Sequence, residues 1–368
     1  MPSGLSTNGQ YALFQSGASD LVNGKTNRSI GVFRRDMQAG TTLLVSIPTN
    51  GGAVIGNSRD AAMTPDGRYV AFASSANNLV AGDTNGIQDI FVRDMQLGQT
   101  TLVSVGATGQ TGVVSSETPC VTPDGRFVAF YSTASNLVPG VPSGGDIYLR
   151  DVVGQTTTWA STNARAILQA VLGTNNAVCY NQCVSADGNF IAYETSSLTA
   201  GYPRPGIILR YNVQSGLTDI IATNAYVSIT AGYEDIQDLS MTDDGRFIAF
   251  IANTNGTPGT DTCIELWYGQ GGGTILISGD LSNNVPVGSG SDCPTVDPTG
   301  RYVCFFSSTP NMTSNVVASG YHVYVRDTLA GTTALADIDP AGPASFDSSP
   351  TMSTNGQIVA FTAGGHFP

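Results

Sequence analysis

The chain has 368 residues, of which 12% are charged, with 44 Gly and a formal net charge of -13. Lys and Arg total only 15, too few to neutralise a phosphate backbone or coat an anionic membrane, so nucleic acid is excluded as a partner and cations are favoured. No run approaches the roughly 18 apolar residues of a membrane span, which excludes membrane insertion, and the opening "MPSGLSTNGQ" has neither the charged region nor the apolar core of an export signal. Either the chain is cytosolic or its signal has been removed.

In chain order, one motif recurs: "STNGQYALF" from Ser6, "TPDGRYVAF" from Thr64, "TPDGRFVAF" from Thr122, "SADGNFIAY" from Ser185, "TDDGRFIAF" from Thr242, "DPTGRYVCF" from Asp297 and "STNGQIVAF" from Ser353. Its period is about 55 to 63 residues. Asp-Gly or Asn-Gly supplies the positive φ of a tight turn, and the alternating aromatic and β-branched residues after it predict a strand. A second strand follows as "IGVFRRD", "DIFVRD", "DIYLRD", "GIILRY", "CIELWY" or "HVYVRD", then a Gly-containing turn and a third strand such as "TTLVSV". A short strand before each turn, such as "SETPCV", is the fourth. Four antiparallel strands per repeat, with no helical periodicity anywhere, predict an all-β β-propeller built as one domain. The repeats run approximately 5–62, 63–120, 121–183, 184–240, 241–295 and 296–351, with a partial copy at 352–368.

These turn and strand motifs resemble the PD40 or TolB-like (WD40-like) repeat family, across essentially the whole chain. The resemblance implies a propeller and an extracellular or periplasmic location. It does not imply one function, because such propellers serve as docking scaffolds, translocation parts and modules beside peptidases or lyases. Seven turn units but six complete sets of following strands favour seven blades with the last incomplete; six blades with redundant ends is the alternative. An unclosed ring exposes a sheet edge, so self-assembly belongs among the expectations.

One loop carries metal chemistry. In "GDTNGIQDIFVRD", Asp83, Asn85 and Asp89 surround a Gly turn at a spacing suited to calcium, with the carbonyls of Thr84 and Ile87 as further oxygens. No bidentate Glu follows at the twelfth place, so the site is weak at best. In the first repeat Lys25 and Gly31 replace the two aspartates, and in the third Val141 replaces the first while Asp146 is kept; later repeats lose the pattern. One calcium site at most is expected, and a plain Asx-turn is the competing reading.

Arg35-Asp36, Arg93-Asp94, Arg150-Asp151 and Arg326-Asp327 end the second strands, where strand geometry sends neighbours to opposite faces. The Asp is expected to open the hairpin turn and the Arg to cross to a neighbouring strand. The two histidines, His322 and His366, lack a "GxSxG" elbow, and no Cys/His spacing suggests zinc. Glu194, Glu234 and Glu265 are acids that could converge for sugar hydrolysis, with nothing to select a pair.

Cys179 and Cys183 could bond only across a bend, and Cys304 reads as a buried thiol or the partner of Cys263. The fourth and fifth repeats diverge most: the insert "NARAILQAVLGTNNAVCYNQC" is the longest break, and "ITAGYEDIQD" presents Tyr233, Glu234, Asp235 and Asp238 as candidate ligand-binding residues. Trp159 and Trp267 read as packing residues.

The expected function is a non-enzymatic binding or assembly scaffold for a protein or glycan partner. A carboxylate-dependent hydrolase or lyase of extracellular polysaccharide is the alternative, and a surface-lattice or filament subunit the third reading.

Overall fold

In the second repeat, the Thr64 hydroxyl donates to Asp66 Oδ1 at 2.6 Å and accepts the Tyr69 N–H at 2.9 Å. The Arg68 N–H also reaches Asp66, and Gly67 closes the turn at φ +75°. Thr122–Asp124, Ser185–Asp187 and Thr242–Asp244 repeat the arrangement, and Ser6 and Ser353 do so with Asn8 and Asn355. In the sixth repeat Asp297 takes the hydroxyl's place and accepts the Tyr302 N–H at 2.7 Å. Thr122→Ala leaves the Phe127 N–H without this acceptor and lowers stability by about 1–2 kcal/mol. Thr122→Ser restores it, as a shift of the urea midpoint will report.

The computed structural model describes residues 2–22, 29–48, 54–83, 85–106, 111–142, 144–197, 204–227, 239–253, 261–269, 271–314, 320–337, 350–353 and 355–361. The chain divides into two compact units, Met1–Thr162 and Asn163–Pro368.

The first unit holds three four-stranded antiparallel blades, each ordered in space as in sequence. They are Pro2–Leu5, Tyr11–Ser16, Gly31–Asp36 and Thr41–Leu44; then Ser58–Met63, Tyr69–Ser74, Asp89–Asp94 and Gln99–Leu102; then Ser116–Val121, Phe127–Ser132, Asp146–Asp151 and Thr156–Trp159. Within a blade, the middle strands stack aromatic rings in register: Phe14 on Phe33 at 5.5 Å, Phe72 on Phe91 at 5.7 Å and Phe130 on Tyr148 at 5.7 Å. The core lies between consecutive blades, where Ile90, Val92 and Val103 pack with Val128, Phe130 and Tyr148 of the next.

The turn glycine locks that packing. A Cβ on Gly67 would overlap the Tyr11 ring, and one on Gly125 the Tyr69 ring. Each turn therefore lies on the aromatic residue that opens the preceding blade's second strand. The motif needs its glycine twice, for positive φ and for close approach.

The Arg and Asp residues act as the repeat suggests. Asp94 Oδ1 accepts the N–H groups of Gln96 and Leu97, opening the hairpin, while Arg68 forks onto the same carboxylate at 2.8 Å. Arg126–Asp151 and Arg301–Asp327 are equivalent. Arg35, Arg93, Arg150 and Arg326 cross to the facing strand and donate to Thr42, Thr100, Thr157 and Thr333.

The second unit opens with a helix, Ala164–Leu172, in the long insert. The strand pattern gave no helical period there, and the structure corrects it. "ARAILQAVL" is built from good helix formers without Gly or Pro; Ala164 and Leu168, four residues apart, are buried, and Gly173 ends the helix at φ 73°.

Two blades follow, Ala177–Val184, Phe190–Ser197, Arg204–Asn212 and Thr218–Val227, then Leu239–Met241, Phe247–Asn253, Thr262–Tyr268 and Gly273–Leu276. A single Ala225–Ala252 bridge joins their sheets. The last complete blade is Ser291–Val296, Tyr302–Ser307, His322–Asp327 and Thr332–Leu335, followed by a two-stranded sheet, Thr351–Met352 with Val359–Ala360. Gly245 lies on Phe190, Gly300 on Phe247 and Gly356 on Tyr302, the same lock as in the first unit.

All six cysteines are reduced thiols. A bulge does bend the strand between Cys179 and Cys183, yet no bond spans it, and Cys304 is a buried thiol not joined to Cys263. Trp267 is core, 5% exposed beneath the Arg210 guanidinium. Trp159 packs on the cluster between the second and third blades.

Candidate functional site

The loop before Asp89–Asp94 brings Asp83, Asn85 and Asp89 together. Both aspartates are buried, at 2% and 0% exposure, and the charge of Asp83 acts directly on Asp89. Burial pushes the Asp89 carboxyl up to about 6, against hydrogen bonds from Ser104 and Asn85, and the charge of Asp83 raises it further. Burial likewise raises Asp83, opposed by the Asn85 backbone N–H. Among the described residues no Lys or Arg neutralises either group, and Asp83 Oδ1 is buried without a hydrogen-bond partner.

Asn85 plays a different part from an oxygen donor. Its Nδ2 bridges Asp89 Oδ2 at 2.7 Å and the Gly112 carbonyl at 3.1 Å, and its Oδ1 accepts the Ile87 N–H in an Asx-turn. Ser104 donates to Asp89 Oδ1 at 2.5 Å and so anchors the strand end to the loop. Two uncompensated buried carboxylates, one with an idle oxygen, fit a hard cation. The turn geometry and the charge geometry coexist here. Thr84 and Lys25 lie outside the described residues.

The sister blades fill the same place differently. In the third, Val141 is buried where Asp83 stands, and Asp146 Oδ1 accepts both Ser161 Oγ and Trp159 Nε1, at 2.7 and 2.9 Å. In the last complete blade His322 replaces the aspartate, and Asp337 replaces the serine; the two meet at 3.0 Å, both buried. His322 is thus held within the sheet's own polar ladder. His366 lies outside the described residues.

Tyr233, Glu234, Asp235 and Asp238 also lie outside the described residues. Glu265 stands in the stacked-aromatic register, opposite Phe250, where burial raises its carboxyl.

Glu194 was one of several acids without a partner in the sequence; the acidic charge that acts on it is that of Asp292, which sequence reasoning missed. Glu194 is 0% exposed, opposite Tyr180 in the fourth blade; Asp292 is partly buried, opposite Phe306 two blades on. Burial pushes Glu194 up to about 8, Asn181 opposes this with an Nδ2 hydrogen bond at 3.1 Å, and the Asp292 charge adds to it. Burial raises Asp292 too, while Cys293 donates its N–H at 2.9 Å. Both acids adjoin first-strand bulges whose next residue is left-handed, Asn181 at φ 51° and Cys293 at φ 53°. The available signal was the repeat register: the Glu194 position holds Gln15, Ala73, Tyr131, Ile251 and Phe306 in other blades, none of them an acid.

No protein-family model matches the chain, and no curated protein sequence matches it. Solved structures do. A puromycin-hydrolyzing peptidase of Mycobacterium tuberculosis is 12% identical with a TM-score of 0.52, over 89% of this chain and 42% of that one. The β-propeller domain of the Trilobed protease from Pyrococcus furiosus is 10% identical with a TM-score of 0.50, over 89% of this chain and 80% of that domain. TolB from Acinetobacter baumannii is 15% identical over 73% of this chain, which spans 52% of that protein; its TM-score of 0.42 carries no argument. At such identities the likeness establishes the β-propeller fold and nothing of activity.

Proposed function

We propose that this β-propeller is a non-enzymatic binding or assembly scaffold for a protein or glycan partner outside the cytoplasm, in the PD40/TolB-like manner, with one structural calcium ion in its second blade. The observation that supports the ion is the juxtaposition of buried Asp83 and Asp89 with Asp83 Oδ1 idle. Calcium would join the two carboxylates, relieve their mutual repulsion and fix the loop to the strand that Asp89 begins. With two carboxylates and no bidentate Glu, its affinity belongs to the range of extracellular modules, a Kd of about 10⁻⁴ to 10⁻³ M.

Isothermal titration of the demetallated chain with calcium tests the ion. Binding heat and a raised melting temperature are expected for the native chain, with both reduced at least tenfold in apparent affinity by Asp83→Asn. Equal behaviour of the two chains would remove Asp83 from any site. Light scattering and a glycan array on the calcium-loaded chain test the scaffold reading; turnover of an acidic polysaccharide would replace it with an enzyme.

A further inference from the structure

We propose that the two-stranded sheet of the second unit, Thr351–Met352 with Val359–Ala360, is a docking site for a β-hairpin of a separate protein. The hairpin it fits carries an aromatic residue within its first strand and an aspartate at that strand's end. The site rests on the scaffold reading above and specifies its partner as a protein.

The first observation is an unstacked ring beside a free edge. Among the described residues nothing pairs with the outer edge of Val359–Ala360. In four blades the phenylalanine that matches Phe361 stacks on an aromatic of the third strand: Phe14 on Phe33, Phe72 on Phe91, Phe130 on Tyr148 and Phe305 on Tyr324. Phe361 packs on the core of the last complete blade and is half-buried, and no described ring stacks on it.

The second is the space next to that edge. A cleft of about 360 Å³ separates the last complete blade from the sheet, walled by Val325, Ala334, Ala336, Gln357 and Val359. Between the second and third blades the matching walls, Val92, Val103 and Val128, are covered by Tyr148, Val152 and Trp159 of the third blade's outer hairpin. Phe91, Met95 and Leu102 do the same between the first and second blades, and Tyr324 and Leu335 between the fifth and sixth. A blade junction of this protein is therefore closed by an outer hairpin, and a docked one would continue that established packing.

Thirdly, the turn "STNGQ" occurs twice. In its first copy Gln10 Nε2 donates to Asp36, the aspartate that ends the third strand, at 3.3 Å. In its second copy Gln357 Oε1 accepts Asn355 Nδ2, and its own amide N–H groups meet no described acceptor. An incoming aspartate would take the place of Asp36. Little opposes it, because "STNGQIVAF" holds no charged residue and Asp327, the acid lining the cleft, is held by Arg301 at 2.7 Å. Main-chain pairing along the edge would supply affinity, and the aromatic pocket specificity.

A fluorescein-labelled peptide with the sequence of Gly31–Leu44, "GVFRRDMQAGTTLL", the hairpin that faces the other "STNGQ" turn, serves as the probe. Titrated with the full chain and read by fluorescence anisotropy, it is expected to bind saturably. Phe33→Ala in the peptide and, separately, Ala334→Trp in the chain, which fills the cleft, should each weaken binding about tenfold or more. The peptide change keeps the test open should the chain variant fold poorly. Absent binding, or binding indifferent to both changes, overturns the site and leaves the scaffold reading to its light-scattering and glycan assays. Self-association that Ala334→Trp abolishes and the peptide cannot compete with would assign the edge to a second copy of this chain and overturn the partner hairpin.

Discussion

Gly125→Ala is expected to destabilise the first unit by about 3 kcal/mol, combining left-handed backbone strain of about 1–2 kcal/mol with overpacking of similar size. Gly125 has φ +72° and lies flat against the Tyr69 ring of the preceding blade, so an added methyl group would overlap the ring. The turn cannot withdraw easily. Its Thr122 and Asp124 hydrogen bonds fix it to the following strand, and Val128 and Phe130 on that strand are locked into the interblade core.

Gly140→Ala separates the two causes. Gly140 has φ +84° with open space where the Cβ would go, so only the backbone term of about 1 kcal/mol applies. Chemical denaturation of both variants gives the comparison, and combining Gly125→Ala with Tyr69→Ala should recover part of the loss through coupling between the sites. Equal midpoints for Gly125→Ala and Gly140→Ala would show that the ring contact contributes nothing.

That glycine illustrates what a repeat makes legible. A glycine after Asp, Asn or Thr in seven copies announces a turn, and its recurrence argues for a role in the fold; the aromatic two residues on in six of them announces a strand. The sequence does not say that one copy's glycine rests on the previous copy's aromatic, because that contact spans about 56 residues and depends on how blades stack. Asp94 and Arg68 behave likewise: the hairpin cap is local and readable, whereas the fork from Arg68 crosses 26 residues. The helix at Ala164–Leu172 escaped notice because two buried positions in nine residues are too few to show a period. Asp83 and Asp89 were readable because seven residues hold both. Glu194 and Asp292 lie almost a hundred residues apart, and only alignment of blade registers marks Glu194 as the acid where other blades carry Gln15, Ala73, Tyr131, Ile251 and Phe306.

The second large effect concerns that acid. In chelator, with no divalent cation present, the native chain should lose stability steadily as pH rises from about 4.5 to about 8. Glu194 has a folded value near 8 against 4.5 ordinarily, so throughout that window the native state binds a proton that the unfolded chain has released. Stability falls wherever the native state holds more protons, by about 1.4 kcal/mol for each pH unit per proton, and levels off above the folded value. The full contribution is present below about pH 4.5. Asp89, raised to about 6 by burial, gives a slope of the same sign that ends lower, and burial raises Asp83, Glu265, Asp292 and Asp337 as well, so the Glu194 contribution is isolated by difference against Glu194→Gln. Glu194→Gln keeps the shape and the Asn181 hydrogen bond but has no proton to lose. Its unfolding free energy should equal the native one below about pH 4.5 and exceed it by several kcal/mol at pH 9. Parallel profiles for the two chains above pH 6 would mean that Glu194 is ionised and solvated in the folded protein, and the idle buried oxygen would need another explanation.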